Sequence, residues 1–120
     1  MTRVVAFVPD LLFGSQLQGS LRAACHEVAL VGDEEGLRVA VTGADVLVVD
    51  LTDDLARRVG LLDAISREGL LGGVRTLAFY SHVDVEARRE AEGAGIDLVV
   101  PRSRMAREAG ELVTRLVGSG

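Results

Sequence analysis

The sequence predicts an α/β fold: a five-stranded, doubly wound parallel sheet of order 2-1-3-4-5. Three observations predict it. Short apolar runs of strand length alternate with stretches of helical periodicity along the whole chain. The apolar runs are nearly continuous rather than alternating, as expected of parallel strands covered on both faces. The right-handed crossover rule then leaves few topologies, and this strand order is the default among them.

The elements follow in order. "RVVAFV" (3–8) reads as the first strand. Phe13, Leu17, Leu21 and Ala24 recur at helical spacing, and Cys25 is expected to pack into the core at the end of that helix. "EVALVG" (27–32) is the second strand. Asp33 can cap the next helix, with Glu34 and Glu35 placed favourably in its first turn. Leu37, Ala40, Val41 and Ala44 form its apolar stripe. "DVLVVD" (45–50) is the third strand, and Leu55, Val59, Leu62 and Ile65 line the helix after it. "RTLAFY" (75–80) is the fourth strand, followed by a short helix from about Asp84 to Ala94 that Gly95 can terminate. "DLVV" (97–100) is the fifth strand, and Met105, Ala109, Leu112, Val113 and Leu116 mark the last helix. Residues 1–117 read as one domain, with 118–120 as a frayed tail.

Composition excludes several classes. A hydrophobic content of 48% and a charged fraction of 26% describe a globular domain rather than a disordered chain. The net charge of −5 argues against a nucleic-acid partner, whose phosphates call for a basic face. No apolar run approaches a membrane span, and the first ten residues lack the pattern of a signal peptide. A lone cysteine excludes an internal disulfide and fits a reducing, cytoplasmic setting. All 13 Lys+Arg residues are Arg. No glycine-rich phosphate loop is present, so dinucleotide and triphosphate sites have no support. A Ser81-His82-Asp84 triad is disfavoured because triads are assembled from separate segments. Cys25-His26 lacks the further ligands a zinc site needs.

In a doubly wound sheet, ligands bind outside the carboxyl ends of the strands. Those ends supply Pro9 and Asp10; Asp50, Thr52 and Asp53; Ser81 and His82; and Pro101, Arg102 and Ser103. Asp50, at the tip of a buried strand in "VLVVDLTDD" (46–54), reads either as an acid that does chemistry or as one that meets water and the next turn. Asp10 reads as a metal ligand or as a helix N-cap. Arg102, with Arg104, beside Ser103 at a helix start reads as an anion pocket or as solvated charge on a capped helix. Ser15, Ser81, His82, Arg102 and Ser103 are the candidate ligand-binding residues.

Length, alternation and strand-end acids together resemble a response-regulator receiver domain over the whole chain. The resemblance implies a flavodoxin-like three-layer sandwich. It implies Asp50 as phosphoacceptor, Ser81 as the hydroxyl of the fourth strand, and Mg²⁺ held by Asp10 and Asp50. No other cofactor is implied. The departures define a divergent or pseudo-receiver, read as a stand-alone protein. The first strand ends "FVPDLL", with one acid where the family has a pair. The fifth ends "LVVPRS", with Pro101 where the family has lysine.

The resemblance therefore implies a signalling or interaction module with absent or degenerate phosphoacceptor chemistry. A small-molecule or anion binder is the alternative, and no complete catalytic set supports an enzyme. The expected partner is a protein or a second copy. Receiver-like domains pair through the face made by the fourth helix, fifth strand and fifth helix. Ala87, Ala91, Ala94 and Val85 in the fourth helix, with Leu116 or Met105 near the centre, would form a weak homodimer there. The competing reading packs the Met105–Leu116 stripe onto the sheet.

Overall fold

The computed structural model describes residues 2–81 and 85–118. It is an alternating chain: β1 (Arg3–Phe7), α1 (Leu11–Ala23), β2 (Glu27–Val31), α2 (Glu34–Ala40), β3 (Val46–Asp50), α3 (Leu55–Arg67), β4 (Arg75–Tyr80), α4 (Val85–Gly93), β5 (Leu98–Pro101) and α5 (Arg102–Gly118). The strands form one sheet of order β2-β1-β3-β4-β5, and every neighbouring pair is parallel. Fold class and strand order are those the sequence predicts. Gly118, expected in the tail, closes α5.

Each face of the sheet has its own core, because side chains alternate along a strand. Val4, Ala6, Val8, Val46, Val48, Leu77 and Phe79 face α1 and α5. Val5, Phe7, Leu47, Val49, Ala78 and Tyr80 face α2, α3 and α4. β1 and β3, central in the sheet, have no exposed residue. α1, α2 and α3 each begin at an aspartate, Asp10, Asp33 and Asp54, whose carboxylate accepts from a backbone N–H one turn on.

Two expectations are corrected. Met105 is fully buried and Leu116 is 9% exposed; both pack in the core shared by α1, α5 and the sheet. They cannot centre a dimer, because their surface is already spent on the fold. The outer side of α5 carries ion pairs such as Arg104–Glu108 instead. Among the described residues the most exposed large apolar side chains are Leu11 and Leu12 at the start of α1 and Val39 in α2, with Val85 on α4 and Val117 on α5 exposed to a lesser degree.

Cys25 is exposed and adopts φ 68°, so it does not join the core. Its N–H bonds to the Arg22 carbonyl and the His26 N–H to that of Leu21. This is the closing pattern of a helix whose first residue beyond the end is left-handed. That geometry turns the chain out of α1 and points the Cys25 side chain at solvent.

Candidate functional site

The β1–β3 register ends at Phe7 and Val49, and Asp50 pairs with Phe79 on β4. Asp50 thus stands at the tip of β3, where the sheet gives way to the turn into α3. The residue is only 2% exposed. Its Oδ1 accepts the Thr52 N–H at 2.8 Å and the Thr52 hydroxyl at 2.5 Å. Burying a carboxylate is costly unless it is hydrogen-bonded, and these two donors, two residues on, supply the bonds.

A second residue serves the same turn. Arg58, on the first turns of α3, is 9% exposed. Its Nη1 donates to the Asp50 carbonyl at 2.9 Å, and its guanidinium lies 4.7 Å from the centre of the Phe7 ring. Nη2 stands 3.5 Å from Asp53 Oδ1. One side chain thus ties the tip of β3, the end of β1 and the loop between β3 and α3. Arg58 was not among the residues singled out from sequence. The signal was there: it stands three, four and seven positions before Leu61, Leu62 and Ile65, on the core-facing stripe. An arginine on that stripe must find partners where the helix meets the strand ends.

Asp10 lies beyond β1. Its Oδ1 accepts the Phe13 N–H at 3.1 Å, and its Oδ2 accepts Arg102 Nη2 at 3.3 Å. The Phe13 N–H, then the Arg102 side chain, hold its carboxyl below the usual 3.8. The Arg102 guanidinium sits 4.2 Å over the Phe13 ring, and that ring is 5.0 Å from Phe79. A column of Arg102, Phe13 and Phe79 therefore rises from the register partner of Asp50.

The candidate ligand residues separate into groups. Ser81, Arg102 and Ser103 line a mostly apolar cavity of about 550 Å³ with Phe13 and Tyr80. Ser15 is on the other flank of α1, beside Leu30 and Gly32 in a smaller hollow of about 160 Å³. Ser15 thus lies on the β2 side of α1, with Val31 in the same hollow. His82 lies outside the described residues. Asp10 and Asp50 are the acids a Mg²⁺ ion would use; among the described residues no group of three His, Cys, Asp or Glu side chains gathers to hold a metal.

No family model matches the chain, and no curated protein matches it. Solved structures do. The receiver domain of the Francisella response regulator 1452 superposes with TM-score 0.85 at 13% identity, over 99% of this chain and 98% of that one. This chain has the receiver fold. An atypical orphan response regulator, described as having a phosphorylation-independent regulatory mechanism, matches with TM-score 0.78 at 14% identity, over 98% and 96%. A CheY-like protein (TadZ) from Pseudomonas aeruginosa PAO1 matches with TM-score 0.73 at 25% identity, over 98% and 94%. On this receiver fold Asp50 stands at the strand tip where the resemblance puts the phosphoacceptor.

Proposed function

We propose that the protein is a receiver-like signalling module that acts by binding a protein, without a phosphorylation switch. The observation that carries this reading is the state of Asp50: buried, with one carboxylate oxygen engaged twice by Thr52 and its carbonyl held by Arg58. Phosphoryl transfer to a carboxylate depends on positioning and on neutralising the charge of the incoming group. Little of Asp50 is open to a donor. The charges nearby are already engaged, Arg102 with Asp10 and Arg58 with Asp53.

The residues present do not fit Mg²⁺. That ion needs near-octahedral oxygen ligands, including one or two carboxylates. The end of β1 offers Phe7 and Val8, both buried and apolar. Asp10 has one oxygen on the α1 N-terminus and the other on Arg102. No metal-dependent step is therefore assigned to Asp50. The similarity to an orphan regulator with a phosphorylation-independent mechanism supports the same reading. The partner is a protein, or a second copy meeting through a surface other than Met105 and Leu116. The net charge of −5 argues against nucleic acid, and the lone exposed Cys25 suits the cytoplasm.

The test is amide shift mapping with beryllofluoride and Mg²⁺. The spectrum is expected to stay unchanged. Large shifts around Asp50 and Ser81 that vanish in Asp50→Asn would restore a phosphoacceptor and sink the proposal.

A second reading rests on the cavity lined by Phe13, Tyr80, Ser81, Arg102 and Ser103. Its size and apolar lining are those of a small-molecule pocket. A ligand there would replace phosphorylation as the input.

A further inference from the structure

The strand edge of this protein is acidic. Asp33, Glu34, Asp53 and Asp54 line one polar hollow with Arg57 and Arg58, and Phe7 forms part of its wall. Asp50 stands at the adjoining strand tip. Such a concentration of carboxylates needs a counter-charge, and in a receiver fold the expected counter-charge is a divalent ion. The ligands for that ion are not assembled here. What is assembled is a guanidinium.

The two cations of the hollow differ. Arg57 is solvent-exposed, and its Nε pairs with Glu34 at 3.3 Å across to α2. An exposed pair of this kind holds little. Arg58 is inside. Its guanidinium lies over the Phe7 ring, its Nη1 donates to a backbone carbonyl at the tip of β3, and its Nη2 faces Asp53. Asp53 is itself exposed, but the bond to the Asp50 carbonyl is charge-assisted and buried, which makes it one of the stronger kind, and a guanidinium packed on a ring keeps its position. A planar fork can serve a carbonyl and a carboxylate at once, which a compact ammonium does less well.

We propose that Arg58 is the resident cation of this edge: it neutralises the acidic turn in place of a divalent ion and holds the β3–α3 turn in one conformation. The role rests on the reading of the protein as a module without a phosphorylation switch, and it explains how the turn is kept ordered without one. The position of the cation is written into the chain rather than supplied from solution. The turn that a bound ion would order is therefore always ordered.

A purely structural arginine and a resident cation differ in one respect. Removing a resident cation leaves carboxylates that a soluble cation can then use. The experiment titrates millimolar Mn²⁺ into ¹⁵N-labelled protein and reads paramagnetic broadening of the amides. Wild type is expected to show no broadening at Asp50 to Asp54 above that at exposed acids elsewhere, such as Glu111. Arg58→Met keeps an unbranched apolar side chain on α3 but loses the guanidinium over Phe7 and its charge, and is expected to gain broadening confined to this turn. Arg58→Gln is run beside it, so that a folded neutral variant is read even if one of the two fails to fold. Arg58→Lys, which keeps a charge, is expected to stay like wild type.

Broadening at Asp50 in wild type would overturn the proposal. So would neutral variants that fold and gain no Mn²⁺ response, or a lysine variant indistinguishable from them. The latter two outcomes leave the absence of a beryllofluoride response untouched, so failure of the cation role is separable from failure of the functional reading.

Discussion

Gly110 of α5 stands directly against Ala24 at the end of α1: a β-carbon added to Gly110 would lie 2.6 Å from that of Ala24. The Gly110 carbonyl, meanwhile, lies 3.3 Å from His26 Nε2, and Thr114 Oγ1 lies 3.1 Å from the same nitrogen. The two helices meet here at backbone distance. Glycine in a helix ordinarily costs about 1 kcal/mol relative to alanine, so its presence reflects this contact.

Gly110→Ala is therefore expected to destabilise, against the helical trend. Overpacking of this kind costs about 1–3 kcal/mol. Ala24→Gly in the same chain should recover part of the loss, since it removes the opposing carbon. Urea unfolding of the four members of the cycle measures the coupling. Additive effects would show that the helices separate freely at this point.

Cys25 is in the left-handed position that closes α1, where a side chain is strained and glycine is not. Cys25→Gly is expected to raise stability by about 0.5–1 kcal/mol, because the exposed thiol contributes no burial. Cys25→Val is expected to do the reverse, since a β-branched residue resists positive φ. Thermal unfolding under reducing conditions ranks the three proteins, and a valine variant as stable as the glycine one would refute the account.

Asp10 links β1, α1 and α5 through one carboxylate. Its folded pKa is depressed, so the stability it contributes is present above 3.8 and lost as pH falls from there through the lower folded value. Glu68, held below 4.5 by Arg38, acts in the same direction on the other side of the molecule. Asp10→Asn keeps a capping side chain but not the charge. The stability gap between wild type and this variant should be widest near neutral pH and close as the pH drops below 3.8. Chemical denaturation across that range measures it, and a gap independent of pH would contradict the argument.

Met105 is fully buried in the core between α5 and the sheet. Met105→Ala is expected to cost about 2–5 kcal/mol by transfer and cavity terms. It should leave the mass in sedimentation unchanged at any concentration where the protein stays folded. A change in association without loss of stability would put Met105 at an interface after all.

The sequence determined the sheet. Apolar runs of strand length separated by helical stripes leave one economical way to bury both faces, and helix-starting aspartates at 10 and 33 mark where the first two strands give way to a helix. It also determined that Asp50 ends a central strand, since Val46 to Val49 can only lie inside. Tertiary structure decided what surrounds that acid. Arg58 reaches the Asp50 carbonyl because α3 packs back across the strand ends, and Arg102 meets Asp10 although 92 positions separate them. It decided too that the apolar stripe of α5 faces inward, a choice that hydrophobic spacing leaves open between core and partner. Periodicity records which side of an element is apolar, whereas the identity of the covering surface depends on helices distant in sequence arriving at one edge.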